Sequence, residues 1–107
     1  MSGPKNETLA SNQLRYLRAK AHHLRPVVQV GKDGLAEGVL EALSQALEDH
    51  ELVKVRMHEP EDRHAMANDL AAQMSAYWVG LIGFTAILYR PSAEKPRIVL
   101  PLANRAA

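Results

Sequence analysis

The sequence predicts a mixed α/β sandwich, in which helices are laid against a four-stranded mixed sheet. Three observations carry that expectation. Apolar residues recur at helical spacing in three separate stretches, short β-branched or alternating runs fall between them, and glycines or prolines stand at the junctions. Along the chain the order reads α-β-α-β-α-β-β. Strand–helix–strand alternation implies parallel pairs with crossovers, which puts the second and third helices on one face. The closing hairpin makes the sheet mixed.

Residues 1–10 read as a flexible lead-in, residues 11–101 as one domain, and residues 102–107 as a tail. Ser11 or Asn12 is suited to cap the first helix. Its buried face follows from Leu14, Leu17, Ala21 and Leu24, with Arg15, Arg18, His22 and Arg25 at the same spacing on the flank. Pro26 forces the preceding residue out of helical geometry and is expected to end this helix. Val27 to Val30 forms a short apolar strand. A glycine-bounded turn, Gly31-Lys32-Asp33-Gly34, then leads at once into a second helix, whose core face is Leu35, Val39, Leu43 and Leu47. From Leu52 to His58 the residues alternate: Val53, Val55 and Met57 point one way, Lys54 and Arg56 the other. Helices over the valine side would leave Lys54 and Arg56 open. Pro60, Glu61 and Asp62 announce a third helix, with Met66, Leu70 and Met74 as its buried stripe. Tyr77 to Ile82 and Thr85 to Tyr89 pair around Gly83, Pro91 closes the last strand, and Arg97 to Leu100 is expected to add a brief edge segment.

At 107 residues the chain suits a single core, and its 47% hydrophobic and 23% charged residues are ordinary for a globular protein. No apolar run approaches the roughly 18 residues that cross a bilayer. The polar start, Met1 to Thr8, lacks the apolar centre of a signal peptide. A cytoplasmic protein is expected, with no membrane contact. The absence of cysteine removes disulfides, thiol chemistry and cysteine-based metal sites. The net charge of +1 conceals a separation. Five Lys or Arg and no acid lie between Gln13 and Lys32, whereas five acids and no Lys or Arg lie between Leu35 and Val53. The end turns basic again with Arg90, Lys95, Arg97 and Arg105. One side of the molecule is therefore expected to be basic.

Little in the chain suggests catalysis. His22 and His23 are adjacent and diverge on a helix, and His58 and His64 have no ligand spacing between them. The serines Ser11, Ser44, Ser75 and Ser92 lack a Gly-x-Ser-x-Gly elbow, and the glycine turn is too short for a Walker loop. No enzyme, metal, cofactor or small-molecule substrate is expected. What remains is the basic flank of the first helix, Lys32 in a glycine turn before a helix, and Lys54 with Arg56 on an open sheet face. Two glycines allow close approach to the main chain, and a phosphate suits the start of a helix. These are the parts of a surface that reads RNA by backbone and shape. With 5% aromatic residues, scattered along the chain, base stacking is not the leading mode.

The chain resembles the CRM domain (chloroplast RNA splicing and ribosome maturation), especially its stand-alone bacterial YhbY-type members, from about Leu9 to Pro101. The resemblance is carried by Leu14-Arg15-Tyr16-Leu17-Arg18-Ala19-Lys20-Ala21-His22-His23-Leu24 and by Pro26-Val27-Val28-Gln29-Val30-Gly31-Lys32-Asp33-Gly34-Leu35. It continues in Glu37-Gly38-Val39, His50-Glu51-Leu52-Val53-Lys54-Val55, Gly83 and Tyr89-Arg90-Pro91. That family is similar in fold to the C-terminal domain of translation initiation factor 3, a two-layer sandwich with a four-stranded mixed sheet. The resemblance implies RNA binding, in bacterial members to precursors of the large ribosomal subunit, with the family's Gly-x-x-Gly loop at Gly31 to Gly34. Asp33 offsets the charge of Lys32 there.

The candidate site is therefore Gly31, Lys32, Asp33 and Gly34, extended by Arg15, Arg18, Lys20, His22 and Arg25. Lys54, Arg56 and Arg90 join it if the topology puts them on the same side. The expected partner is ribosomal RNA and the expected state a monomer. The alternative is a protein–protein adaptor that docks on a ribosomal protein through the acidic second helix.

Overall fold

The structure, a computed structural model, describes residues 9–32 and 34–104. Its elements are α1 (Ser11–Ala21), β1 (Pro26–Val30), α2 (Glu37–His50), β2 (Leu52–Met57), α3 (Arg63–Met74), β3 (Tyr77–Ile82) and β4 (Thr85–Tyr89). The order is the expected one, and the hairpin strands fall on the expected residues. The strands lie in the order β1-β2-β4-β3, with β1 parallel to β2 and β4 antiparallel to both its neighbours. β4 thus fills the space between β2 and β3.

Period-two alternation sorts the strands into two faces. Val30, Val53, Val55, Met57, Ala86 and Leu88 meet Leu43 and Leu47 of α2 and Ala67, Leu70 and Met74 of α3 in the larger core. Both helices lie on that face, as the crossovers require. α1 lies on the other face, where Leu17 and Ala21 pack on Leu52, Val79, Ile87 and Tyr89. Val79 follows Tyr77 onto the α1 face by alternation, and a register shift between Trp78 and Gly80 sets Gly80 opposite Ile87 on that face too. The first layer is the sheet, the second is α2 with α3, and α1 is a partial cover on the back.

Several local expectations are corrected. Ala10, not Ser11 or Asn12, stands at the N-cap of α1, and Gln13 Oε1 accepts its N–H at 3.0 Å. α1 stops at Ala21, well before Pro26, so Leu24 and Arg25 lie in the connection rather than on the helix. α2 begins at Glu37, so Leu35 and Ala36 separate it from Gly34. Asp62 caps α3 by accepting from the Ala65 N–H at 3.0 Å, and Pro60 stays outside. Arg97 to Leu100 forms no strand; the segment from Pro91 to Asn104 is irregular.

That irregular segment is held by side chains. Glu51 has no exposed surface, although it is acidic and follows α2 directly. Its carboxylate accepts the backbone N–H groups of Ser92 at 2.7 Å, Arg97 at 2.9 Å and Ile98 at 2.8 Å. Burial alone would raise this carboxyl; the N–H donors of Ser92, Ile98 and Arg97 outweigh it and hold the group below the usual carboxylate range. Glu48 is held low chiefly by the Ser92 hydroxyl, which donates to it. Farther along, Asn12 Nδ2 and Gln13 Nε2 donate to the carbonyls of Leu102 and Pro101 at 2.8 and 3.0 Å. The last described residues therefore form a strap from the end of α2 to the start of α1.

Candidate nucleic-acid interface

The strand register arranges the back face of the sheet in rows. Leu52, Tyr89 and Tyr77 form the first row, and Pro26, Lys54, Ile87 and Gly80 the second. The third is Gln29, Arg56, Thr85 and Ile82. α1 and the strap cover the first row, where Leu52 and Tyr89 are buried. In the second, Ile87 is buried and Lys54 half-buried. The third row is open: Gln29, Arg56 and Ile82 are exposed. The covering helix stops short of one end of the sheet, and an arginine stands in the gap.

That end is where β1 runs into Gly31. It also holds the end of β2, whose pairing continues as the His58 N–H donates to the Val30 carbonyl at 2.9 Å, and the Gly83-Phe84 turn of the hairpin. Gly31 and Lys32 are exposed, and Gly34 donates its N–H to the Gly31 carbonyl at 3.0 Å with φ at +75°. Such a φ favours glycine, so Gly34 shapes the turn. Gly31 has open space where a Cβ would stand, which leaves its main chain accessible. Asp33 lies outside the described residues.

α1 supplies the wall of this shelf. At about 100° per residue Arg15, Arg18 and His22 share one flank, Gln13 points to the other, and Asn12 lies between them in the first turn. The strap binds Gln13 on that other flank and Asn12 at the start of the helix. Arg18 Nε donates to the Val79 carbonyl at 3.2 Å and lies 3.4 Å from where a Gly80 Cβ would be. The basic flank therefore faces the open part of the sheet. Arg15, Arg18 and His22 are all exposed. The acids Glu37 and Asp62 belong to the starts of α2 and α3, the helices of the opposite face. A polyanion that follows α1 avoids that helix layer.

The remaining expected residues divide. Lys54 shares the shelf but its Nζ donates to the Leu24 carbonyl at 3.0 Å, so its charge is partly anchored. Lys20 and Arg25 lie around the other end of α1, where they line a cavity with Leu24 and Val27. Arg90 does not join the shelf. Its guanidinium donates to the carbonyls of Met74 and Ser44, each at 3.0 Å, and so ties the end of β4 to α3 and α2. Arg97 likewise donates to the carbonyls of Glu48 and Asp49 in the last turn of α2. Arg97, and Arg90 through Met74, meet helix C-terminal carbonyls, a role that charge pattern alone does not separate from a ligand-binding one. Gln29 was absent from the sequence expectation; its place opposite Arg56 follows from the strand register.

Trp78 is half-buried, and its Nε1 donates to the Gly80 carbonyl at 3.1 Å. It packs rather than presenting a stacking face. Among the described residues, no three of the His, Asp and Glu side chains are grouped to hold a metal ion. No described helix is long and apolar enough to cross a membrane.

Comparison with known proteins places this geometry. Residues 9–90 match the family model of the CRS1/YhbY (CRM) domain. The chain is 42% identical over 96 residues to an RNA-binding protein of Haemophilus influenzae, across 88% of this chain and 96% of that one. It is 40% identical over 95 residues to Bacillus subtilis YqeI, named a probable RNA-binding protein, across 87% of this chain and 99% of the relative. A hypothetical protein from Staphylococcus aureus, solved in solution, superposes with a TM-score of 0.75 at 34% identity, covering 88% of this chain and 100% of that chain. The expected resemblance and fold are both upheld, and the chain belongs to the CRS1/YhbY (CRM) domain family.

Proposed function

We propose that this protein binds structured RNA through its phosphate backbone, and that its target is ribosomal RNA in precursors of the large ribosomal subunit. The observation that carries this reading is the open third row of the sheet. It sets exposed Arg56 and Gln29 between the basic flank of α1 and the Gly31-Lys32 turn. Three elements thus offer cations around one shelf, the helix by Arg15 and Arg18, the sheet by Arg56 and the loop by Lys32. Such an array neutralises successive phosphates without base readout, as shape-directed RNA recognition requires. The names of the relatives, RNA-binding in Haemophilus influenzae and probably so by name in Bacillus subtilis, support the same reading. The family resemblance supports the ribosomal target, and the absence of any nucleophile-and-base pair from the motifs favours a binding role over a catalytic one.

The test is Gly31→Asp. A Cβ there meets nothing within 4 Å among the described residues, so the fold is expected to hold while bulk and negative charge enter the shelf. Gly34 is the poorer site to change, because its positive φ would strain any replacement. In filter binding to a large-subunit ribosomal RNA transcript, affinity is expected to fall at least tenfold, about 1.4 kcal/mol. Equal binding by a folded Gly31→Asp protein would remove the loop from the interface. Sedimentation of the tagged protein with large-subunit precursors, lost in the same variant, tests the ribosomal target.

A further inference from the structure

At the end of the sheet away from the glycine turn lies a cavity of about 440 Å³, bounded by the exit of α1, the start of β1 and the strap. Its walls are apolar: Leu24, Val27, Leu52, Val53 and Ile98. Lys20, Arg25 and His50 supply its polar lining, and no carboxylate lines it. Val27 is 52% exposed and Leu24 39%, so two large side chains of this wall face solvent. Ile98, the wall from the strap, is positioned by its N–H bond to the buried Glu51 carboxylate.

We propose that this cavity receives one unpaired base of the bound RNA, with Lys20 and Arg25 holding the adjoining phosphate. The inference rests on the RNA-binding reading and adds a second contact to it. Charge selects the ligand: an apolar slot lined by cations and no acid suits a flat body that carries an anion. Position selects RNA in particular. The cavity mouth opens at the exit of α1, where His22, His23 and Arg25 are exposed, and Lys20 stands on the flank of α1 away from Arg15 and Arg18, so a strand from the shelf that crosses the helix exit reaches the mouth. The apolar walls bring no hydrogen-bond donors to the base, so the slot accepts bases with little preference among them.

The test uses the whole protein labelled for amide NMR, with adenosine 5′-monophosphate as probe and ribose 5-phosphate as the control without a base. The nucleotide is expected to move the amides of Leu24, Val27 and His50, and ribose 5-phosphate to move them far less. Val27→Trp fills the cavity from an exposed position. It is expected to abolish those shifts and to weaken ribosomal RNA binding about tenfold, the scale of losing one buried base-sized apolar contact. No response to the nucleotide at millimolar concentration, or full RNA affinity in a folded Val27→Trp protein, overturns the proposal. If Gly31→Asp loses RNA while Val27→Trp keeps it, the cavity alone fails. If both bind as wild type, neither the turn nor the cavity belongs to the interface, and if the wild-type protein itself binds no ribosomal RNA, the RNA-binding reading fails with the proposal.

Discussion

Arg56 and Arg90 sit at opposite ends of the sheet and differ in almost everything but residue type. Arg56 stands exposed in the uncovered row beside α1. Arg90 is half-buried, with its guanidinium held by the carbonyls of Met74 and Ser44. Around Arg90 lie Glu51, Glu48 and Arg97, which close the strap onto the end of α2. Around Arg56 lie a glycine turn and the free flank of a helix. One end uses charge to complete hydrogen bonds inside the protein, and the other leaves charge facing outward. Among the described residues, two carbonyls hold the guanidinium of Arg90 and none holds that of Arg56.

The largest expected effect is at the closed end. Glu51→Ala removes the acceptor for three backbone N–H groups, those of Ser92, Arg97 and Ile98. Loss of buried acceptors of this kind is expected to destabilise the protein by about 3 kcal/mol, read from urea unfolding. The same carboxylate gives a pH dependence. Because its folded pKa lies below its ordinary value, the unfolded chain binds the proton more readily. Its contribution is full above about pH 4.3 and is lost as pH falls through the lower folded value. Melting temperatures followed downward from pH 6 should therefore fall more steeply in wild type than in Glu51→Gln. Parallel curves would mean that the carboxylate does not carry the strap.

Arg90→Gln comes next. It leaves the Met74 and Ser44 carbonyls without their charged donor, and about 1.5–3 kcal/mol of stability should go with it. Affinity for ribosomal RNA, measured on the folded variant, should stay as in wild type. A variant that kept its stability and lost RNA would reverse the roles of the two ends. Smaller still is Glu41→Lys, on the exposed face of α2. It should leave RNA binding and melting almost unchanged. Loss of ribosome association with intact binding to naked RNA would favour the adaptor reading. Glu48 cannot serve this purpose, because it holds the Ser92 hydroxyl and its replacement disturbs the strap.

Much of the architecture was legible in local pattern. The alternation of Val53, Val55 and Met57 against Lys54 and Arg56 needs only the period of a strand, and the hairpin about Gly83 needs only two apolar runs and a glycine. Helix ends were less legible. α1 stops at Ala21, a full turn before Pro26, which takes Arg25 out of the helical stripe. The charges divided for the same reason. Arg90 reaches carbonyls 16 and 46 residues away, and Glu51 accepts from N–H groups 41 to 47 residues on. Such pairings arise from the packing of elements and leave no mark at the residue itself. The Gly31 to Gly34 turn was found because glycine is needed where it sits, yet the open row beside it follows from how far α1 extends over the sheet.

The difference between the two ends is tested most directly by the salt dependence of RNA binding. Arg15, Lys32 and Arg56 are exposed and stand on the helix, the loop and the sheet of the open end. Their joint replacement by Gln should change stability by less than about 1 kcal/mol. If each neutralises one phosphate, the slope of log K against log salt should flatten by roughly 2–3 units, at about 0.7–0.9 per contact. An unaltered slope in the triple variant would show that the open end does not meet the RNA backbone.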